Sequence, residues 1–246
     1  MNIPIELLVF ALSNRKVNPV KLYLCFKSMG SGHLLLSPGV KNAIRDQLAI
    51  KDQRTLEANL SWLLKKGWVT MNAKRGSIRV VGYPVLARKL GFRSATGALF
   101  TPDQFPNFRP FIYAAVVTYY LQYKYRTAKQ SERKKGRSRT NCSCRDLPAK
   151  YLALVLRLGK STVIRYRQRA WDAGYIKMRH RYQPALVPIE HLDFCRIYGD
   201  EEAYQLVIHN GRVMVQLSNA ITSYIRLRTK PSLKKHIHHL QKVDPL

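Results

Sequence analysis

The clearest helical periodicity in the chain lies between residues 56 and 64, where leucines recur at a spacing of i, i+4, i+7 and i+8. The stripe consists of Leu56, Leu60, Leu63 and Leu64. This pattern predicts a helix that buries one face, because the other face is polar. Asp52 is placed to cap the start of the helix, and Gly67 stands where a left-handed residue would end it.

Two further helices are predicted upstream of this stripe. Val40, Ile44 and Leu48 lie at i, i+4 and i+8 behind a Pro-Gly start signal. Only residues 50–52 separate this helix from the next, and a short connection between two apolar stripes predicts a helix-turn-helix. Residues 19–28 supply another helix ahead of the pair.

A hairpin is predicted directly after Gly67. Residues 68–71 and 77–81 read as two strands around a turn at 73–76, and Lys74 and Arg75 make the tip of that turn cationic. Three helices followed by a basic β-hairpin predict a winged-helix domain, which we assign to residues 1–100.

The same order of elements recurs later in the chain. A strongly apolar helix is expected over residues 111–124, a second over 147–158 and a third from Ser161. Thr55-Leu56 aligns with Thr162-Val163, and Gly67-Trp68-Val69 aligns with Gly174-Tyr175-Ile176, all at an offset of 107. This internal repeat predicts a second winged-helix domain over residues 101–190. The predicted fold class is mainly α with small β-hairpins (α+β), with the two winged-helix domains in tandem.

The third helix of the second copy carries a recognisable motif. It reads Leu158-Gly159-Lys160-Ser161-Thr162-Val163-Ile164-Arg165, followed by Arg169 and by Gly174-Tyr175-Ile176. This stretch resembles the helix-turn-helix of the Lrp/AsnC and GntR families of bacterial regulators, and the resemblance implies a winged helix that binds DNA. Arg167 departs from the family pattern, which has an aliphatic core residue there, so Tyr166 is expected to fill that space. The ligand-binding domains of those families have no counterpart in this sequence, so regulation by a small molecule is not implied.

The C-terminal segment, residues 191–246, contains a further hairpin signal. Residues 204–208 and 213–217 flank an Asn-Gly pair at 210–211, which is a strong two-residue turn signal. A helix is expected behind it over residues 218–228. The segment either completes the second wing or pairs with another subunit as a homodimer interface, and the sequence leaves both open.

Charge indicates the class of partner. The chain has 43 Lys and Arg against 14 Asp and Glu, a formal charge of +29, which favours a polyanion. Residues 1–100 carry +12, residues 101–190 carry +14 and residues 191–246 carry +3. Since no basic amphipathic helix or lipidation signal indicates a membrane, double-stranded DNA is the expected partner and RNA the alternative.

The most basic stretch, residues 124–145, is predicted to be a mobile arm because its like charges repel each other. We expect the arm to contact phosphate without regard to base sequence. Its candidate contact residues are Arg133, Lys134, Lys135, Arg137 and Arg139.

The candidate DNA-binding residues follow from helix-turn-helix geometry, in which the second helix presents its polar face to the major groove. The first unit contributes Gln53, Arg54, Glu57, Ser61, Lys74, Arg75 and Arg79. The second unit contributes Lys160, Ser161, Arg165, Gln168, Arg169, Lys177, Arg179 and Arg181. The last three alternate along a strand, where a wing would touch phosphate. The competing interpretation is that each row is only a solvated helix face.

No catalytic residue, metal site or cofactor is predicted. The acidic cluster at 200–202 is interpreted as a solvated turn, and His236, His238 and His239 as a basic patch. Four cysteines are too few for a secreted disulfide framework, and residues 1–10 do not read as a signal peptide. An intracellular protein is expected, cytoplasmic and nucleoid-associated in a bacterium or nuclear in a eukaryote.

Together these features predict a sequence-specific double-stranded DNA-binding protein without enzymatic activity, whose commonest use would be transcription regulation. The alternative is a replication initiator or architectural factor of a plasmid, phage or mobile element, because tandem winged-helix units resemble those of plasmid initiators. An RNA-binding protein would explain the charge but not the two helix-turn-helix patterns.

Overall fold

The computed structural model describes residues 1–30, 32–92, 96–134, 145–185 and 205–229. It shows an α+β protein that divides into two compact units. One unit is Tyr120–Tyr224, and the other is Met1–Tyr119 together with the segment that begins at Ile225. No helix in the described ranges is long and apolar enough to cross a membrane.

The first unit contains two small antiparallel sheets and most of the helices. Its elements are β1 (Asn2–Pro4), α1 (Ile5–Ser13), α2 (Val17–Met29), β2 (His33–Leu35), α3 (Pro38–Gln47), α4 (Gln53–Lys65), β3 (Val69–Asn72), β4 (Ser77–Val80), α5 (Tyr83–Leu90), β5 (Thr96–Leu99) and the start of α6 (Phe108–Lys134). One sheet has the order β2-β4-β3. In the other, β5 lies between β1 and a strand from the end of the described chain, Leu227–Thr229.

The second unit is built from the C-terminal part of α6, two short helices and one larger sheet. Its further elements are β6 (Arg145–Asp146), α7 (Ala149–Leu156), α8 (Lys160–Asp172), β7 (Ile176–Pro184), β8 (Gln205–His209) and β9 (Arg212–Ser223). The sheet has the order β6-β9-β7, and β8 also pairs with β9. The remaining strand, Leu227–Thr229 of the first unit, is β10.

Local signals account for the helical pair α3 and α4. The Ser37 hydroxyl accepts a hydrogen bond from the Val40 amide at 3.3 Å, and Pro38 follows Ser37 as the first helical residue. Asp52 occupies the position before α4 but its side chain makes no capping hydrogen bond. Gly67 ends α4 with a φ of +62°, as its residue type predicted.

Helix α2 fixes this pair and the strands that follow it. The Lys21 ammonium donates a hydrogen bond to the Leu48 carbonyl at the end of α3 at 2.6 Å, and the Tyr23 hydroxyl donates to the Val81 carbonyl after β4 at 2.7 Å. The Tyr23 ring also packs edge-on against Trp68, with 5.4 Å between ring centroids. Two side chains of α2 therefore tie it to both the helical pair and the chain that follows β4.

The two units repeat the same structure from their second helix onward. Helices α4 and α8 begin and end at positions 107 apart, and so do the first residues of β3 and β7. The Gly67 amide donates to Leu64 at 2.9 Å and the Gly174 amide to Trp171 at 2.8 Å, again 107 apart. This equivalence confirms the internal repeat that the sequence predicted.

The turn ahead of that helix is also repeated, with one residue fewer in the second unit. Ala49 and Arg157 both adopt a left-handed backbone, with φ values of 50° and 52°. The next amide in each turn, from Ile50 or Leu158, donates at 2.9 Å to the carbonyl five residues before it. These positions are 108 apart, whereas the following helices are 107 apart, so the second turn is one residue shorter.

The sheets of the two units share a topology. In each, the strand ahead of the helical pair (β2 or β6) lies at one edge and the strand after the second helix (β3 or β7) at the other. The last strand (β4 or β9) pairs with both from the middle. Strand β8 has no counterpart in the described part of the first unit, and it lengthens the sheet of the second.

The predicted Asn-Gly hairpin is confirmed, but the helix expected after it is wrong. Asn210 and Gly211 have φ values of 52° and 72°, as a tight hairpin turn requires. Residues 218–223 continue strand β9 instead of turning into a helix, and β10 follows. Ile221 pairs with Met178 of β7. The local sequence pattern could not show this distant strand partner, which favours the β-branched Ile221 in a strand. The hairpin thus lies in the sheet of the second unit.

The predicted mobile arm is wrong for its first half. The backbone of 125–134 continues helix α6, which was expected to stop at Lys124. This stretch is rich in Lys, Arg, Ala, Gln and Glu, and it has no Gly or Pro before Gly136, so helix propensity outweighs charge repulsion. Arg133 and Lys134 lie on the last turn of that helix. Lys135, Arg137 and Arg139 lie outside the described residues.

The buried hydroxyl of Tyr23 should make stability depend on alkaline pH. Burial raises its pKa above the ordinary value of 10.0, so the folded protein keeps a proton that the unfolded chain releases. The free energy of unfolding should therefore fall as pH rises above 10. Tyr23→Phe should be less stable by about 1 kcal/mol at pH 8, because it loses a hydrogen bond, and the gap should close by pH 11. Urea unfolding at both pH values measures this, and a constant gap would contradict it.

Candidate nucleic-acid interface

Helix α8 is the most basic helix of the two helical pairs. It carries Lys160, Arg165, Arg167 and Arg169 against Asp172, so its net charge is 4 − 1 = +3. Lys160, Ser161, Arg165, Gln168 and Arg169 are all exposed, as the sequence predicted. Val163 and Ala170 are fully buried on the opposite face, which fixes the rotation of the helix about its own axis.

Arg167 faces inward, unlike the exposed cations of the same helix. Its guanidinium donates a hydrogen bond to the Leu147 carbonyl at 2.7 Å, and its side chain is half-buried. Leu147 lies just ahead of α7, so this bond ties the middle of α8 to the start of the helical pair. Arg167 therefore holds α8 in place, whereas Lys160, Arg165 and Arg169 of the same helix are exposed to solvent.

Helix α4 is the equivalent element of the first unit but is far less basic. It carries Arg54 and Lys65 against Glu57, a net charge of 2 − 1 = +1. Arg54, Glu57 and Ser61 are exposed, and Gln53 is half-buried at the first helical position. The predicted row is thus present on the surface, but it is close to neutral.

Both helices contain an amide–carboxylate pair at i, i+4 on the exposed face. Gln53 Nε2 donates to Glu57 Oε1 at 2.9 Å, and Gln168 Nε2 donates to Asp172 Oδ1 at 2.8 Å. These bonds orient the two amides in advance. Each bond uses one of the two N–H groups of its amide, so each glutamine keeps one N–H donor and its Oε1 acceptor for a base edge.

The hairpin of the first unit carries the remaining predicted cations of that unit. Lys74 and Arg75 lie in a single turn of 3-10 helix, Ala73–Arg75, which the Asn72 side chain caps by accepting from the Arg75 amide at 3.3 Å. Arg79 lies on β4, and all three cations are exposed. Sequence reasoning missed His33 on the three-residue strand β2, which pairs with Arg79 and adds an exposed imidazole to the same sheet.

Strand β7 carries the matching cations of the second unit. Lys177, Arg179 and Arg181 are exposed on alternate positions, so they share one face of the strand. The register of β9 against β7 shifts opposite His180, and the extra residue lies in β9. The alternation of the three cations therefore continues past the bulge.

The described residues show neither a metal-binding cluster nor a reactive thiol. No group of three or more His, Cys, Asp or Glu that could hold a metal ion occurs within them. Burial raises the pKa of the Cys25 thiol to about 12, so that side chain remains protonated at neutral pH. The acidic cluster at 200–202 and the histidines at 236, 238 and 239 lie outside the described residues.

Comparison with known proteins gives no relative. No protein-family model, curated protein sequence or solved structure matches this chain significantly. The arguments about function below therefore depend on the geometry and charge of the described residues.

Substitution of Arg167 and of Arg169 tests whether Arg167 anchors α8. Arg167→Ala removes a charge-assisted hydrogen bond and should lower the free energy of unfolding by about 1 to 2 kcal/mol. Arg169→Ala removes the same charge from an exposed position two residues away and should change it by less than about 0.5 kcal/mol. Urea unfolding followed by circular dichroism measures both. Equal effects of the two substitutions would show that Arg167 does not anchor α8.

Proposed function

We propose that the protein is a sequence-specific double-stranded DNA-binding protein built from two winged-helix units in one chain. The observation that carries this proposal is the repeated unit itself, in which a helical pair is followed by strands or a turn that carry exposed cations. In the second unit the exposed face of α8 holds Lys160, Arg165 and Arg169, and the next strand holds three further exposed cations. This is the arrangement in which one helix enters the major groove and a wing contacts the backbone.

The topology of each unit supports a winged-helix assignment. A helix precedes an edge strand, the helical pair follows, and two strands return to give a sheet with the last strand in the middle. The left-handed residues Gly67 and Gly174 turn the chain from the second helix directly into the wing. The same organisation in both units favours a shared mode of DNA contact.

Within this proposal helices α4 and α8 contribute unequally to DNA recognition. Helix α8 is the principal reader, because its exposed arginine and lysine side chains are those that bind guanine edges. Helix α4 supplies fewer contacts, since Glu57 would face the negative backbone of the duplex. The wings, the end of helix α6 with Arg133 and Lys134, and the basic residues that follow it, Lys135, Arg137 and Arg139, add affinity that does not depend on sequence.

For the biological role we propose that the protein regulates transcription and has no enzymatic activity. The second candidate is a replication initiator or architectural factor of a plasmid, phage or mobile element. Sequencing the DNA that co-purifies with the protein separates the two. Single sites upstream of genes favour a regulator, whereas directly repeated sites in an origin favour an initiator. Enrichment of structured RNA would contradict both.

Arg165 tests whether α8 reads bases. Arg165→Ala should weaken binding to the preferred duplex by about 1 to 3 kcal/mol and relax base choice at one position. Arg165→Lys is the matched control, because it keeps the charge but lacks the two-pronged geometry that guanine requires. Binding of each variant to preferred and random duplexes measures this. If Arg165→Lys binds as tightly as the unmodified protein, Arg165 touches only phosphate.

The cations of β7 test the second wing. Replacing Lys177, Arg179 and Arg181 with Gln should weaken binding to preferred and random duplexes alike. The slope of log K against log salt should fall by roughly 0.9 for each phosphate that the variant no longer neutralises. A control in which each Lys becomes Arg and each Arg becomes Lys should retain the slope. Weakening confined to the preferred duplex would show that this strand reads sequence.

A further inference from the structure

Three aromatic rings form a row on the sheet of the second unit. His180 and Tyr182 are two residues apart on β7, so they share the face opposite Lys177, Arg179 and Arg181. Their ring planes differ by 22°, with 6.3 Å between centroids. The Tyr182 ring also stacks on His209 of β8, at 4.1 Å and 18°. The three rings are therefore nearly parallel, and they come from two different strands.

The surrounding residues hold the first ring in its orientation. The bulge places two residues of β9, Ser218 and Asn219, opposite His180. The His180 Nδ1 atom lies 3.1 Å from Oδ1 of Asn219 and 3.3 Å from Nε2 of Gln216, within hydrogen-bonding distance of both. A β-bulge re-aims a side chain at a defined point, and here it brings an amide against the edge of an imidazole.

The row is accessible and lies beside positive charge. His180 is exposed, and Tyr182 and His209 are half-buried. Arg212 is exposed and directly opposite His209 in the hairpin, so the two share a face of the sheet. In the described sheet β7 lies at an edge, with the rings on one of its faces and three cations on the other.

This surface is an addition to the repeated unit. Strand β8, which supplies His209, has no counterpart in the described part of the first unit, where a single turn of 3-10 helix joins the two wing strands. The helical pair and the three-stranded sheet are complete in the first unit without it. The extended wing therefore adds an aromatic surface that the repeated fold itself does not require.

We propose that the stacked row of His180, Tyr182 and His209 is a platform for unpaired nucleobases, and that it binds single-stranded DNA. Aromatic rings bind bases by stacking on their planar faces, and every base offers such a face. In a duplex those faces are covered by neighbouring base pairs, so only a separated strand can occupy the platform. Arg212, which shares a face of the sheet with His209, supplies positive charge for the strand's phosphates. The inference rests on the proposed function in one respect: the separated strand comes from a DNA duplex that the protein binds.

The test is the affinity for a fluorescent oligothymidine dodecamer, measured by anisotropy beside a random duplex of equal length. Tyr182→Leu should weaken dodecamer binding roughly 5- to 100-fold, the range expected when stacking on one base is removed. Tyr182→Phe and Tyr182→Trp keep a ring and should retain affinity. Gln183→Ala, at the exposed position next to Tyr182, is the matched control and should bind like the unmodified protein.

A second measurement uses the unmodified protein, so it does not depend on a variant folding. A dodecamer that contains 5-iododeoxyuridine should crosslink on irradiation to a peptide that holds Tyr182 or His209. Crosslinks found only elsewhere, or equal dodecamer binding by Tyr182→Leu and Tyr182→Phe, would overturn the platform. Tighter binding of oligouridine RNA with the same dependence on Tyr182 would overturn the assignment to DNA.

The affinity for the random duplex separates this inference from the proposed function. Duplex binding that survives in Tyr182→Leu, while dodecamer binding weakens as expected, supports both. Duplex binding without any contribution of Tyr182 to dodecamer binding overturns the platform alone. Dodecamer binding that depends on Tyr182, in a protein that binds no duplex, overturns the proposed function and leaves the platform in place.

Discussion

The reversal of the chain at Gly67 and Gly174 is the constraint on which the geometry of both units depends. Each glycine has a positive φ, and the next amide, from Trp68 or Tyr175, donates to the carbonyl five residues before it. This bond fixes the direction in which the strand leaves the helix. Since the following residue, Val69 or Ile176, is buried, the strand must pack back against the core. The exposed helix face and the exposed strand cations are thereby placed on one unit in a fixed relation.

Burial on one side of each helix leaves the charge on the other side available for binding. Leu56 and Leu63 in α4, and Val163 and Ala170 in α8, fill the same two positions of the repeat. Because apolar packing and backbone hydrogen bonds hold these helices, their exposed cations are not needed for stability. Arg167 is the exception, since its guanidinium donates a hydrogen bond to the Leu147 carbonyl. A net charge of +29 is tolerated because the described core consists almost entirely of apolar side chains.

The sequence predicted those parts of the fold that depend on local spacing. The α4 stripe, the Asn-Gly turn and the repeat at offset 107 all lie within short windows, and all are present. Prediction failed where the partner is distant along the chain. Residues 218–223 become a strand because β7, some forty residues earlier, offers an edge, and β2 and β6 are too short to show alternation. The aromatic row was missed for the same reason, because only the return of β8 brings His209 onto Tyr182.

The two copies of the repeat differ in the charge of the second helix and in the number of strands in the sheet. The first keeps a short hairpin, a nearly neutral second helix and a core tied together by α2 through Tyr23 and Lys21. The second has a helix of net charge +3 and a sheet extended by β8. Stability requirements do not explain the extension, since the shorter hairpin already completes the sheet in the first unit. The differences between the copies therefore lie in exposed charge and in the added strand β8, outside the elements that build the shared fold.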